Sequence, residues 1–186
     1  MVFWIFISLL AIQRVIELMI AKRNEKSIIK QGGYEVGHSH YKYMVLMHVM
    51  FFVSFLYEVS YFDKELSTMY RILLPFFLLT QVGRVWVIYS LGMFWNTKIM
   101  ILPASQIRVK GPYKYLKHPN YLIVSIELII LPLFFSAYFT AIVFSLLNIM
   151  ILSIRIPIEE WALQVHAEYQ HIGSNPLRAM RALKKD

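Results

Sequence analysis

The sequence has no cysteine among its 186 residues. This absence excludes disulfide bonds, catalysis by a thiolate and zinc sites built on thiolates. It also means that the chain is not itself prenylated, and its last residues, Leu-Lys-Lys-Asp, match no lipidation signal. A function based on cysteine chemistry is therefore excluded.

Glycine is also scarce. The seven glycines are spread along the chain and form no glycine-rich loop for a nucleotide. No Walker loop, dinucleotide-binding glycine pattern or Ser-His-Asp order is present. His40 and His48 are about two helical turns apart, but His118 lies at an unsuitable depth to pair with His48 across a haem. We therefore expect no haem and no other metal site.

Charged residues make up only 16% of the chain, whereas hydrophobic residues make up 58% and the mean hydropathy is +0.54. A soluble domain carries about 25% charged residues. The apolar residues lie in long, nearly uncharged runs of the length that crosses a bilayer. The sequence therefore predicts an all-α integral membrane protein.

We predict about five transmembrane helices. Three apolar runs are each long enough for one span: Met1–Ala21, Tyr43–Phe62 and Met69–Leu91. The last run, Tyr121–Ile154, contains Pro132 and is too long for one span. We expect it to form two short, upright helices of about 25 Å each, folded as a hairpin near Ser136–Thr140.

Ionisable residues interrupt the predicted spans. Arg14 and Glu17 in the first run, together with the lack of a basic start and a cleavage site, argue against a signal peptide. Their spacing allows a pair along one helix face, and snorkelling to the membrane surface is the alternative. Arg84 lies mid-span, and we expect it to face the bundle with a partner such as Glu58 or Glu127.

Lysines and arginines are concentrated in segments 22–42, 92–120 and 155–186, whereas the 136–140 turn has none. In a five-span topology these three segments share one side of the membrane. The positive-inside rule places that side in the cytoplasm, with the amino terminus outside and the carboxyl terminus inside. Topology and contact with anionic membrane lipids thus explain the net charge of +8. We expect no nucleic-acid partner.

No linker or repeat divides the chain, so we expect one membrane domain over residues 1–186. It comprises a three-span part (1–91), a motif region (92–172) and a basic tail (173–186). We expect a helical extension from Lys22 and a turn at Gln31–Gly37. Ile158–His171 has helical spacing, and Asn175-Pro176 can start a last basic helix on the membrane surface.

The segment Lys110–Tyr121 brings cations, tyrosines and a His-Pro pair together before an apolar run. Pro119 disfavours helical geometry at His118 and suits the first turn of the next helix. His118 and Lys117 are therefore predicted just outside a helix start, where free N–H groups and the helix dipole favour an anion. A basic helix entry that anchors to lipid phosphates is the alternative.

A second charged motif, Arg155-Ile-Pro-Ile-Glu-Glu160, lies where the next apolar run ends. The carboxylates of Glu159 and Glu160 could hold an ammonium group or ribose hydroxyls, although such a pair is usually a solvated face. Arg155 adds the opposite charge one turn upstream, and both motifs are predicted on the same side of the membrane. Charges of both signs suit a zwitterionic ligand.

Together, Lys117-His-Pro-Asn-Tyr121 and Arg155-Ile-Pro-Ile-Glu-Glu160 resemble the isoprenylcysteine carboxyl methyltransferase family, whose signature membrane phospholipid methyltransferases share. The resemblance covers about residues 108–172. It implies that the two motifs close over S-adenosylmethionine at the cytoplasmic face. The residues that it implies for the cofactor are Tyr113, Leu116, Lys117, His118, Asn120, Tyr121, Glu159 and Glu160. Those implied for catalysis are Arg155 and Glu160.

Three positions depart from the family pattern. Lys117 stands where arginine is usual, Ile123 where a glycine often follows the tyrosine, and Ile172 where a second tyrosine is common. Lysine keeps the charge of arginine but loses its bidentate hydrogen bonding. These departures affect the expected identity of the methyl acceptor more than the expected binding of the cofactor.

Aromatic residues near the motifs suit methyl transfer, because aromatic faces hold a sulfonium by cation–π contact. They are Tyr113, Tyr115, Tyr121 and Trp161. We expect S-adenosylmethionine-dependent methylation of a lipophilic small molecule or lipid in a prokaryotic plasma membrane. Carboxyl or hydroxyl acceptors are favoured, and a head-group nitrogen stays open. The alternatives are an NADPH-dependent lipid reductase, since membrane sterol reductases share a similar carboxyl-terminal layout, and a non-catalytic protein that binds anionic lipid.

Overall fold

A computed structural model describes residues 1–103, 105 and 110–171. The elements in these ranges are α1 (Val2–Lys30), β1 (Tyr34–Val36), α2 (His38–Tyr61), α3 (Tyr70–Leu91), β2 (Ile99–Ile101), α4 (Pro119–Leu133) and α5 (Tyr138–His171). Short 3₁₀ turns lie at Gly92–Phe94 and Gly111–Lys114. The predicted tail helix at Asn175-Pro176 lies outside the described residues.

The helices confirm the predicted all-α membrane fold. Four of those in the described ranges are long and apolar enough to cross a bilayer: Val2–Lys30, His40–Tyr61, Tyr70–Phe94 and Tyr138–Val165. The fifth apolar helix, α4, has 15 residues and is about 22 Å long, which is shorter than a hydrocarbon core of about 30 Å. The protein is therefore an integral membrane protein in which one of the apolar helices is short.

The hairpin of α4 and α5 is confirmed, but its two arms are not equally short. The turn lies between Leu133 and Tyr138, near the predicted position, and Ser136 adopts a φ of 53° there. However, α5 has 34 residues and continues through Pro157, where we expected the span to end and a separate helix to follow. A proline removes one helical hydrogen bond, and beyond it Ala162 is buried against the β2 residues, so packing favours an uninterrupted helix.

Glu58 of α2 determines where α5 begins. Its carboxylate accepts hydrogen bonds from the backbone N–H groups of Phe139 (3.2 Å) and Thr140 (2.8 Å) and from the Thr140 hydroxyl (2.7 Å). The first N–H groups of a helix have no partner within the helix, and a carboxylate is favoured at this end by the helix dipole. Glu58 is thus a helix cap supplied by a neighbouring helix, and not the partner of Arg84.

The partner of Arg84 is Glu127, within a cluster that joins three helices. Glu127 on α4 accepts from Arg84 Nε on α3 (3.1 Å) and from Arg14 Nη2 on α1 (2.5 Å). Glu17 pairs with Arg14 at 2.7 Å and with Arg84 at 3.2 Å. These four residues, here named the buried quartet, carry two charges of each sign. The predicted Arg14–Glu17 pair is therefore confirmed and extends to a larger network.

The two ends of the bundle differ in character. One end is an aromatic core in which Phe3 of α1 packs edge-on against Phe55 of α2 and Phe135 at the hairpin, at ring distances of 5.4 and 4.9 Å. The other end, here named the charged end, holds the end of α1 and the starts of α2 and α4. The predicted helical extension from Lys22 is confirmed there, because α1 continues to Lys30.

A two-stranded antiparallel ribbon lies at the charged end, and no sequence pattern predicted it. Strand β1 pairs with β2 so that Tyr34 faces Ile101 and Val36 faces Ile99. Ile99 and Ile101 are buried together with Ala162 of α5. The ribbon therefore fastens the loop after α3 onto the part of α5 that carries the glutamate pair.

Candidate active site

The loop before α4 reaches the site through a tight turn at Gly111. This residue has a φ of +56°, and a Cβ added to it would lie 2.0 Å from Ser90 Oγ. Glycine is therefore required here for both conformation and space. The turn buries Pro112 and places Tyr113 against the apolar cluster around Val87 and Trp95.

His118 and Pro119 adopt the predicted arrangement at the start of α4. His118 precedes the helix with a φ of −129°, and Pro119 occupies the first helical position. The His118 imidazole stacks on the ring of Tyr121, with centroids 5.3 Å apart and an interplanar angle of 17°. The proline and the stacking together fix the histidine at the mouth of the helix.

The two charged motifs meet, as the sequence predicts from their shared side of the membrane. His118 Nε2 lies 3.2 Å from Glu160 Oε1, and His118 Nδ1 lies 3.8 Å from Glu159 Oε1. Lys117 Nζ lies 3.5 Å from Glu160 Oε1, with most of the lysine side chain exposed. A basic loop at the entry of α4 is thus held directly against the carboxylates of α5.

Tyr121 connects the motifs in the interior. Its hydroxyl donates a hydrogen bond to Glu159 and accepts one from Arg155 Nε at 2.7 Å. The Arg155 guanidinium also lies 5.6 Å from the centre of the Tyr121 ring. A continuous chain of contacts therefore runs from Arg155 through Tyr121 to the glutamate pair.

Arg155 is a buried cation that has no carboxylate partner among the described residues. It is 3% exposed, and its remaining N–H groups point to Thr97 O (2.6 Å) and Met44 Sδ (3.2 Å). Among the described residues, no carboxylate oxygen lies within 4.0 Å of its guanidinium. Burying an uncompensated charge costs several kcal/mol, roughly, so an anionic ligand would be strongly favoured at this point.

The other predicted cofactor residues lie around this chain of contacts. Asn120 is half-buried, and its buried Oδ1 has no hydrogen-bond partner among the described residues. Leu116 is 46% exposed at the rim. Burial and the nearby carboxylate of Glu159 raise the pKa of the Tyr113 phenol, which therefore stays protonated at neutral pH. All the predicted site residues thus lie on the short loop, on the first turn of α4 or on α5.

The segment between α3 and β2 supports the site and was not predicted to do so. Lys98 Nζ bonds to Glu25 of α1 (2.8 Å) and Glu35 of β1 (2.9 Å), and these bonds raise the pKa of the lysine. Partial burial opposes ionisation of Glu35, but hydrogen bonds from Lys98 and His38 lower its pKa overall. The neighbouring Thr97 carbonyl, which accepts from Arg155, is held in place by these ion pairs.

Comparison with known proteins agrees with this geometry. The model of the isoprenylcysteine carboxyl methyltransferase (ICMT) family matches residues 72–165, a range that contains most of α3, the loop before α4 and both charged motifs. The chain belongs to the isoprenylcysteine carboxyl methyltransferase family. The resemblance expected from the two motifs is therefore confirmed, and the protein is a member of a family of membrane methyltransferases.

Two relatives match over nearly the whole chain. The "Uncharacterized protein YpbQ" of Bacillus subtilis (strain 168) is 42% identical over 165 residues, which cover 89% of this chain and 98% of that protein. An "Uncharacterized protein" of Haemophilus influenzae is 35% identical over 159 residues, which cover 85% of this chain and 92% of that protein. No solved structure matches the chain. Both matches are longer than the range of the family model, so these relatives resemble the chain beyond residues 72–165 as well.

Proposed function

We propose that this protein transfers a methyl group from S-adenosylmethionine to an oxygen atom of a lipophilic acceptor, at the cytoplasmic face of a prokaryotic plasma membrane. The observation that carries the proposal is the meeting of His118 and Tyr121 with Glu159 and Glu160 in a member of a methyltransferase family. The predicted positive-inside topology places this meeting point on the side where a soluble methyl donor is found.

The residues at the charged end suit the functional groups of S-adenosylmethionine. The carboxylates of Glu159 and Glu160 can accept from an ammonium group or ribose hydroxyls, and the unsatisfied Asn120 Oδ1 requires a hydrogen-bond donor. The stacked rings of His118 and Tyr121 offer an aromatic surface to a sulfonium. When bound, S-adenosylmethionine supplies an activated methyl group.

Arg155 supports an oxygen acceptor of acidic character. A carboxylate or an ionised hydroxyl would provide the negative charge that this buried guanidinium lacks among the described residues. An amine would place a second positive charge next to the first. The acceptor oxygen is therefore assigned to the Arg155 end of the contact chain and the methyl donor to the His118 end.

The chain's own contribution to the reaction is mainly positioning. A displacement at a methyl carbon needs the attacking oxygen in line with the leaving sulfur, and holding both in a partly dry site supplies most of the acceleration. A carboxylate needs no base. A neutral hydroxyl must lose its proton, and His118 or one of the two glutamates of the motif is the group that would accept it.

The test is transfer of a labelled methyl group. Membranes that contain the protein are incubated with methyl-labelled S-adenosylmethionine and a bacterial lipid extract, and label in the organic phase is counted. We expect label that mild alkali releases if the product is an ester, and alkali-stable label if it is an ether. Alkali-stable label on a basic amine would contradict the assignment of an oxygen acceptor.

The controls separate chemistry from folding. Glu160→Gln keeps the size of a side chain at the site but removes its charge, and transfer should fall by about tenfold or more. Lys64→Gln removes one charge at the opposite end of the bundle and should leave transfer unchanged. Equal transfer by both variants would mean that the glutamate pair has no part in the reaction.

A further inference from the structure

The end of α1 carries a stripe of positive charge that the proposed reaction does not use. The stripe consists of Lys22, Arg23, Lys26 and Lys30, all of them exposed. Together with Met19 and Ser27 they line a surface cavity of about 610 Å³. At 100° per residue, Arg23, Lys26 and Lys30 lie within about 60° of one another around the helix, so they form one face.

The acidic residues of α1 do not neutralise this basic stripe. The helix contains two acids, Glu17 and Glu25, and both lie about 100° or more around the helix from Arg23, Lys26 and Lys30. Glu17 belongs to the buried quartet, and Glu25 bonds to Lys98 at 2.8 Å. In the part of the chain that the structure describes, no carboxylate lies within 4.0 Å of any cation of the stripe.

The basic stripe continues an apolar face that is exposed in the described part of the chain. Ile12 is 57% exposed and Met19 67% exposed, and both lie on the same side of α1 as Arg23, Lys26 and Lys30. The helix has 29 residues, or about 43 Å, whereas the hydrocarbon core is about 30 Å thick. The last two turns of α1 therefore stand at the level of the lipid head groups.

We propose that this face of α1 is a binding site for an anionic phospholipid. The phosphate of the lipid contacts the stripe, and its acyl chains run along Ile12 and Met19. The site recognises both the phosphate and the acyl chains of the lipid. Lysine and arginine bind the phosphate, and the exposed apolar residues lie next to them on the same face of α1. A zwitterionic lipid is disfavoured, since its ammonium group would lie among four cations.

The test uses the full chain purified in a neutral detergent. Short-chain phosphatidylglycerol is titrated into the protein, and its affinity is read from the shift in thermal unfolding and from the number of lipids retained in native mass spectrometry. Phosphatidylcholine of the same chain length is the control ligand. We expect saturable stabilisation by phosphatidylglycerol and a markedly weaker effect of phosphatidylcholine.

The decisive variant replaces Arg23, Lys26 and Lys30 by glutamine. Each basic residue near an anionic lipid contributes about fivefold in affinity at low salt, so we expect a loss of about a hundredfold. A variant with Lys42, Lys110 and Lys114 replaced by glutamine loses the same charge at the charged end and should bind like the wild type. Equal loss in both variants would overturn the proposal, and so would equal stabilisation by glycerol phosphate, which has no acyl chains.

Discussion

Replacing Glu127 by alanine is expected to destabilise the protein by about 3–5 kcal/mol. Glu127 is 2% exposed and is bonded to Arg14 and Arg84, which belong to two other helices. Removing the carboxylate leaves the two arginines inside the membrane with Glu17 as their one counter-charge among the described residues. The free energy of unfolding, measured in mild detergent, is the quantity that should fall.

A double variant tests whether charge balance is the cause. Replacing Glu127 and Arg84 together by methionine leaves the neutral pair Arg14 and Glu17, so the loss of stability should be smaller than that of Glu127→Ala alone. If the double variant is the less stable of the two, the cluster acts by packing and not by charge. A loss below about 1 kcal/mol for the single variant would likewise contradict an ion-paired role.

Replacing Arg155 by methionine is expected to lower methyl transfer by about 10²–10³-fold while S-adenosylmethionine still binds. The guanidinium is buried and is held by Tyr121 and the Thr97 carbonyl in a position where an acceptor oxyanion would be its counter-ion. Arg155→Lys should also lose most activity, because lysine cannot donate to Tyr121, to Thr97 and to an acceptor with the same fixed geometry.

Stability provides the control for Arg155. Removing a buried charge that has no carboxylate partner among the described residues should leave the protein as stable as the wild type, or more stable. Replacing a purely structural arginine would instead lower the free energy of unfolding. Loss of S-adenosylmethionine affinity in parallel with activity would contradict the assignment, since Arg155 would then bind the methyl donor. Transfer and affinity are therefore measured on the same preparation.

The parts of the site that were predictable depend on local sequence and on topology. Pro119 restricts His118 and begins a helix, so their geometry followed from chemistry within two residues. The contact between this helix start and Glu160 followed from the hairpin, because a short connection returns α5 to the same membrane side. The positions of the site residues could therefore be predicted from the sequence, whereas their functional roles came from the family resemblance.

The parts that were not predictable depend on contacts between distant segments. The strands β1 and β2 have three residues each, which is too short for an alternating pattern to stand out. Thr97 acts through its backbone carbonyl, which no side-chain pattern reveals. The last apolar run was expected to end at Ile154 and a separate helix to cover Ile158–His171, but the packing of Ala162 beneath the ribbon keeps α5 continuous through Pro157.

We propose that the methyl donor binds where the α4 and α5 motifs meet. Calorimetric titration of the detergent-purified protein with S-adenosylmethionine, and separately with NADPH, tests it most directly. We expect saturable binding of S-adenosylmethionine that His118→Ala and Glu160→Gln each weaken by about tenfold or more and that Lys64→Gln leaves unchanged. Absence of S-adenosylmethionine binding, or binding of NADPH alone, would contradict it.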